Sequence, residues 1–334
     1  MLFRSLIEAG SDPTVSVGGV IPAIGGNIRI GKGSDMVIES CEYTDSFLNF
    51  RPTHAIITNI EAEHLDYFKT FERMQESFIH FAELLPRDGL LVYNTCIENA
   101  KDIFANVKCP LVSYSITDKT ADFYGTDIEY DNMGRPSFSL YGKAGMLGRI
   151  SLGVVGEHNV SNACAAAAMA ICCGIAFGTV ARALKGYTGT GRRFEKKGEI
   201  GGVTIIDDYA HHPTEIKATL EAAKRYPHKS LWVVFQPHTY SRTAEFLEPM
   251  AAALSLADNI VLTDIYAARE TNTYNVSSKD IQKILQAKYG KNVNHFSSFD
   301  ECETFLLQNC STGDLLITMG AGDVVKIGEN LLGQ

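Results

Sequence analysis

The chain reads as an α/β protein of two successive units, each built on a mostly parallel sheet. Three features predict this. Short apolar runs alternate with longer segments of helical period, as in βα units. Between 121 and 155 the pattern changes to alternating segments broken by Gly-Arg-Pro and Gly-Lys, which read as a small antiparallel β insertion. Clusters of acids, histidines and arginines stand at the exits of several apolar runs, where open α/β sheets bind their ligands.

Residues 1–10 have the pattern of a helix already under way, ended by Gly10 with Pro13 beyond. Apolar runs at 36–38, 55–58, 90–93 and 111–114 are strand candidates of the first unit. Between 67 and 85, Phe71, Met74, Phe78, Phe81 and Leu85 recur at helical spacing. After the insertion, 158–174 reads as an Ala-rich helix and 177–185 as a short one, and 192–202 as a junction. Strand candidates at 203–206, 231–235, 259–263 and 315–319 then alternate with helical patterns at 213–226, 243–256, 278–288 and 299–309. These make the second unit.

The 334 residues suffice for two domains, and 45% apolar with 21% charged residues excludes a disordered or fibrous chain. A net charge of −9 argues against nucleic acid or an anionic membrane as a non-specific partner. No apolar run approaches the ~20 residues of a membrane span. Glu8 and Asp12 follow too soon for a secretory signal. The cysteines at 41, 96, 109, 164, 172, 173, 302 and 310 show no CxxC pairing, so the expectation is a reducing cytoplasm without disulfides or zinc.

Seven clusters carry chemistry. ESCEYTDSFL (39–48) places Glu39 directly after a strand, and TNIEAEHLDY (58–67) delivers Asn59, Glu61, His64 and Asp66 after the next. Acids with one imidazole at adjacent strand ends suit a hard cation such as Mg²⁺. Solvated loop acids and a helix-start histidine are the competing reading. GEHNVSNA (156–163) sets Asn159 and Asn162 three apart on one helix face, where carboxamides match an adenine edge. An N-cap role would explain Asn159 but not Asn162. GTGRRFE (189–195) offers arginines to a nucleotide phosphate or to an interdomain salt bridge. DDYAHHPTEI (207–216) and VFQPHTYSRT (234–243) end successive apolar runs and read as one site, with Arg242 a natural clamp for a carboxylate or phosphate. The side chains of His211 and His212 point apart on any regular backbone, which argues against zinc. GAGD (320–323) reads as a tight strand-to-helix turn, a weak basis for a dinucleotide site.

As an ordered set these motifs resemble the Mur ligase family of bacterial peptidoglycan synthesis, through essentially the whole chain. Within the family they are most similar to the branch that joins L-alanine to UDP-N-acetylmuramate. The resemblance implies a central ATP-binding domain over 1–190, mostly parallel with a small antiparallel β insertion, then a Rossmann-like C-terminal α/β domain over 191–334. It implies ATP and Mg²⁺, with UDP-N-acetylmuramate and L-alanine as substrates, in a cytoplasmic monomer or homodimer. Carried over by motif, Glu39 and His64 are Mg²⁺ ligands, Asn159 and Asn162 adenine contacts, Arg193 the phosphate-binding arginine and Asp208 the ribose acid. Tyr209, His211, His238 and Arg242 fall around the muramoyl-alanine moiety, with Arg193, His211 and Arg242 in the catalytic set.

There are departures. The family's phosphate loop, GTHGKTT, would stand immediately before Met1, as would a UDP-binding domain. Residues 1–334 alone are therefore expected not to turn over ATP. Thr239 stands where many relatives have arginine, and Thr44-Asp45 is a local variation in the first acidic motif. The alternatives are a murein peptide ligase, which takes a tripeptide acceptor, and a non-catalytic nucleotide-binding module.

Overall fold

A computed structural model gives the fold and describes residues 1–334, the side chains of Leu65 and Asp66 excepted. The chain divides into two compact units, Met1–Glu129 with Arg135–Thr188, and Tyr130–Gly134 with Gly189–Gln334.

The first unit begins with α1 (Leu2–Glu8), followed by β1 (Thr14–Ile21), β2 (Gly26–Arg29) and β3 (Met36–Ile38). These strands form a small sheet in the order β2-β1-β3, antiparallel between β1 and β2 and parallel between β1 and β3. The main sheet follows, with β4 (His54–Ile57), α2 (Leu65–Phe68), α3 (Phe71–Glu83), β5 (Leu90–Asn94), α4 (Ala100–Ile103) and β6 (Leu111–Ser115). β7 (Phe123–Tyr130), β8 (Pro136–Gly142) and β9 (Gly145–Ser151) complete it in the order β4-β5-β6-β7-β8-β9. β7 pairs parallel to β6 and β9 antiparallel to β8, so the inserted strands extend the main sheet. α5 (Glu157–Cys172) and α6 (Phe177–Lys185) close the unit. Alanines from Ala163 to Ala170 are buried along α5, because a helix packed on every side needs small residues to approach the sheet. Its core joins them to Val92, Tyr114, Phe138, Leu140 and Ile150.

The second unit runs β10 (Glu195–Ile200), β11 (Val203–Asp208), α7 (Pro213–Arg225), β12 (Leu231–Phe235), α8 (Tyr240–Glu245) and α9 (Leu247–Leu254). It continues through β13 (Asn259–Thr263), α10 (Ser278–Tyr289), β14 (Val293–Phe296), α11 (Phe299–Asn309), β15 (Leu315–Met319) and α12 (Val325–Leu331). The sheet order is β10-β11-β15-β12-β13-β14, parallel except for the β10 edge. β15 therefore lies between β11 and β12, the strands whose polar exits the sequence joins in one site. β11, β12, β13 and β15 are buried along nearly their whole length, as strands covered on both faces must be.

Several elements differ from the sequence expectation. The segment 192–202 is not a plain junction, because it contains β10, a charged edge strand. The strands β1, β2 and β14 come from polar or glycine-containing stretches. The helix expected over 243–256 starts at Tyr240 and is split at Phe246. Pro249 explains the split, since its ring would meet the carbonyl four residues back, at Glu245, where α8 ends.

Candidate functional site

In the first unit the acidic motifs converge on His64. Its Nε2 lies 3.3 Å from Oε1 of Glu42, and the ligand atoms of Glu42, Glu63 and His64 lie within 4.8 Å of one another. The hydrogen bond from His64 holds the Glu42 carboxyl below its ordinary range, against burial. Burial, with Glu42, Glu39 and Glu63 nearby, pushes the Cys41 thiol up. Thr44, Asp45 and His64 all take positive φ, near 55°, a conformation that costs non-glycine residues energy and gathers at functional sites. Two carboxylates and one imidazole fit a hard divalent cation that keeps waters and substrate oxygens. Glu39 lies outside this trio, and its Oε2 accepts from the Gly18 backbone N–H at 2.7 Å. Asn59 donates to Glu61 at 3.3 Å. The Asp66 side chain lies outside the described residues.

At the start of α5 the N-cap is Gly156, with φ 93°. Asn159 is therefore inside the first turn, and the N-cap reading of it falls. Its Nδ2 donates to the Val155 carbonyl at 2.8 Å and lies 3.1 Å from His158 Nε2. The exposed Asn162 stands beside it, with Nδ2 3.5 Å from Asn159 Oδ1.

The second unit builds the richer site. Arg192 and Arg193 are adjacent but used differently. Arg192 bonds to Asp207 at 2.8 Å and to the carbonyls of Gly320 and Gly322 at 2.8 and 3.2 Å. It ties the end of β11 to the GAGD turn after β15. Asp207 is fully buried, and burial raises its pKa although Arg192 and Thr318 oppose the shift. Arg193, half exposed, pairs with Glu215 at 3.1 Å. Arg192 and Phe194, on either side of it, hold φ of 59° and 48°.

Asp208 is buried and accepts from the backbone N–H groups of Phe194 and Ala210, both at 2.8 Å. Burial lifts its pKa to about 6. The Tyr209 ring lies under both guanidinium groups, 4.9 Å from Arg192 and 5.7 Å from Arg193. Glu215 is the third residue of α7, in a capping box with His212. One of its oxygens takes Arg193, and the other accepts from the backbone N–H of His211 at 3.1 Å.

His211 and His238 meet with ring centroids 5.7 Å apart, although β15 separates their strands. Glycine at the intervening turn makes room. A Cβ on Gly320 would sit 2.6 Å from the Gln236 carbonyl, and one on Gly322 would strike the Gln236 side chain and the Tyr266 ring. The loop after β12 is fastened to the loop after β13. Thr239 N–H donates to the Tyr266 carbonyl at 2.9 Å, and Tyr266 N–H to the Pro237 carbonyl at 2.8 Å. The His238 ring stacks on Tyr266 at 5.7 Å. Glu270 accepts from the Ser241 hydroxyl and backbone N–H at 2.5 and 2.9 Å. Arg242 Nη1 lies 3.1 Å from His238 Nδ1.

Arg193, Asp208, Tyr209, His211, His238 and Arg242 thus gather at the carboxyl ends of β11 and β12. Arg192, one of the two arginines of GTGRRFE, completes the arrangement together with Glu215, Tyr266 and Glu270, which were not singled out by the motifs. The capping-box spacing of His212 and Glu215 was the one legible signal among them.

A parallel α/β sheet with charged and imidazole groups at its carboxyl edge, in a chain whose other unit carries an acid–imidazole cluster, defines a class of ligand-handling α/β enzymes. Residues 33–170 match the Mur ligase middle domain, and residues 192–322 the glutamate ligase domain of the Mur ligases. The chain is 49% identical over 341 residues to a UDP-N-acetylmuramate–L-alanine ligase of Lachnoclostridium phytofermentans, covering 99% of this chain and 72% of the relative. It is 50% identical over 332 residues to the ligase of that name from Agathobacter rectalis, with the same coverage of 99% and 72%. Its fold is similar to the crystal structure of the UDP-N-acetylmuramate–alanine ligase of Thermotoga maritima, with a TM-score of 0.83 and 26% identity over 99% of this chain and 71% of that one. The chain belongs to the Mur ligase family.

Proposed function

We propose that the gene product carrying these residues joins L-alanine to the lactyl carboxylate of UDP-N-acetylmuramate, with cleavage of ATP to ADP and phosphate. This would be a cytoplasmic step of peptidoglycan precursor synthesis. No helix among the described residues is long and apolar enough to cross a membrane. The observation that carries the reading is the convergence of Arg193, Tyr209, His211, His238 and Arg242 in a chain 49% identical to a ligase of that name.

A carboxylate is a poor acyl donor, so the lactyl carboxylate is first phosphorylated. Attack by the alanine nitrogen on the acyl phosphate then expels phosphate. Arg193 is the cation for the nucleotide phosphate, exchanging its partly exposed partner Glu215 for it. Asn159 and Asn162 present carboxamides to adenine. Asp208 accepts from the ribose through the lone pairs that its two backbone bonds leave over. Arg242 binds a substrate carboxylate beside His238, and Tyr209 and His211 border the same space. Glu42, Glu63 and His64, with Glu39 from the end of β3 as a further acid, are the groups to hold Mg²⁺. Bound there, the ion would offset charge on the phosphates.

The test follows a heavy-oxygen label from the lactyl carboxylate. An acyl phosphate passes one labelled oxygen to the released phosphate, whereas phosphate without label would overturn the mechanism. The assay is run on the full gene product.

A further inference from the structure

The two histidines at the carboxyl ends of β11 and β12 carry their hydrogens on opposite nitrogens. Nδ1 of His211 lies 2.9 Å from the Tyr209 carbonyl oxygen and 3.4 Å from Oε2 of Glu215. A carbonyl has no hydrogen to give, so Nδ1 is the donor, and in the neutral ring Nε2 keeps the lone pair. Nδ1 of His238 lies 3.1 Å from a guanidinium nitrogen of Arg242. A guanidinium can only donate, so here Nδ1 accepts and the hydrogen sits on Nε2. Two imidazoles 5.7 Å apart therefore offer different chemistry, one a proton acceptor and the other an N–H donor.

Their surroundings reinforce the difference. Beside His211 stand Tyr209, His238 and the Glu215 carboxylate, with Arg193 on that carboxylate's other oxygen. A carboxylate behind Nδ1–H fixes the ring and favours the imidazolium once Nε2 takes a proton. Beside His238 stand His211, Arg242, Tyr266 and, less closely, Glu270. Burial, then His211 and Arg242, pulls its pKa down to about 4, against Glu270, so it stays neutral near pH 7.

We propose that His211 accepts the proton from the amine of the incoming amino acid at Nε2, that Glu215 is its positioning residue, and that His238 donates its Nε2–H to an oxygen of the reacting groups. This rests on the ligase reading above. The amino acid arrives as an ammonium ion without a lone pair. One N–H bond breaks, its proton goes to Nε2 of His211, and the electron pair stays on nitrogen. That nitrogen bonds to the acyl carbon as the bond from that carbon to the phosphate oxygen breaks. A second proton leaves the nitrogen with the departing phosphate, giving amide and hydrogenphosphate.

Hydroxylamine separates proton removal from everything else, because it is already unprotonated near neutral pH and needs no base. The full gene product is given ATP, Mg²⁺ and UDP-N-acetylmuramate with either L-alanine or hydroxylamine, and His211→Gln and Glu215→Gln are compared with it. His211→Gln is expected to lose amide formation by ~10²-fold or more, the scale of a general base, while hydroxamate formation stays near the parent rate. Glu215→Gln shows the same split, less deeply. Equal loss of both products in His211→Gln would overturn the assignment. Long-range nitrogen–proton NMR of residues 1–334 reads the tautomers without turnover. It should find the hydrogen on Nδ1 of His211 and on Nε2 of His238, and the reverse pattern would also overturn it. If the parent makes neither product, the ligase reading itself fails, an outcome distinct from loss in the variant alone.

Discussion

Arg192 and Arg193 share a sequence motif but differ in what surrounds them, and that difference sets what each substitution does. Arg192 is the charged partner of the fully buried Asp207, so Arg192→Ala leaves a carboxylate inside the protein with only Thr318 and a more distant lysine. Breaking such a pair costs about 3 kcal/mol or more. Arg193 makes a half-exposed pair, and Arg193→Ala should cost under about 1 kcal/mol while weakening nucleotide binding. Urea unfolding of the two variants, with calorimetric ATP titration, checks the contrast. His238 gives a pH prediction. Its folded pKa of about 4 lies below the ordinary 6.5. Its contribution to stability is therefore whole above 6.5 and is lost as the pH falls toward 4. Asp208, raised from 3.8 to about 6, acts oppositely, its contribution present below 3.8 and lost as the pH rises through 6. Parent and His238→Gln share the Asp208 effect, so their stability difference between pH 6.5 and 4 isolates the histidine. The variant should show the shallower acid loss, and parallel curves would contradict the assignment. Arginine and histidine were legible as residue types from GTGRRFE, DDYAHHPTEI and VFQPHTYSRT. Which arginine pairs with a buried acid was not, because Arg192 takes further partners from a turn 128 to 130 residues away.

At the scale of elements, the strand-to-helix turns decide where the site can form. Gly320 has φ 145° and no room for a Cβ beside the Gln236 carbonyl, whereas Gly10, at φ 86°, faces open space. Gly10→Ala should cost about 1 kcal/mol, the left-handed penalty alone. Gly320→Ala should cost clearly more, because the contact is with backbone and the loop after β12 must shift. Thermal unfolding of both variants measures the difference, and equal losses would show that the turn does not hold that loop. Buried strands such as 231–235, 259–263 and 315–319 were legible to the residue, since runs of β-branched and aromatic residues bounded by polar exits have few other readings. The edge strand β10, EKKGEI, carries charges that protect an exposed edge and hide its strand character in the sequence. The pairing of β15 between β11 and β12 depends on a crossover that no local pattern encodes.

At the scale of the whole molecule, each unit carries its own core. Among the described residues, Ile206, Val233, Phe235 and Ile317 centre one cluster of the second unit, while Val92, Phe138 and Ile150 centre one in the first. Cores of this kind unfold independently unless the interface couples them strongly. The single tryptophan, Trp232, is buried in the second unit and bonded to Asp314 at 3.2 Å. Its fluorescence therefore reports that unit alone, while far-ultraviolet circular dichroism reports both. Urea curves from the two probes should separate, and coincident curves would mean the chain unfolds as one. The small antiparallel extension was legible at this scale from its glycine breaks, and the three-stranded sheet at the start was not, because Gly18, Gly19 and Gly26 interrupt its alternation. The central claim is that the two units serve one ligation, of L-alanine to UDP-N-acetylmuramate. Mass spectrometry of the full gene product incubated with ATP, Mg²⁺, UDP-N-acetylmuramate and an equimolar mixture of L-alanine and tripeptide tests it most directly. The account predicts UDP-N-acetylmuramoyl-L-alanine with one ADP per product. Tripeptide-bearing product alone, or ATP cleavage without either amide, would contradict it.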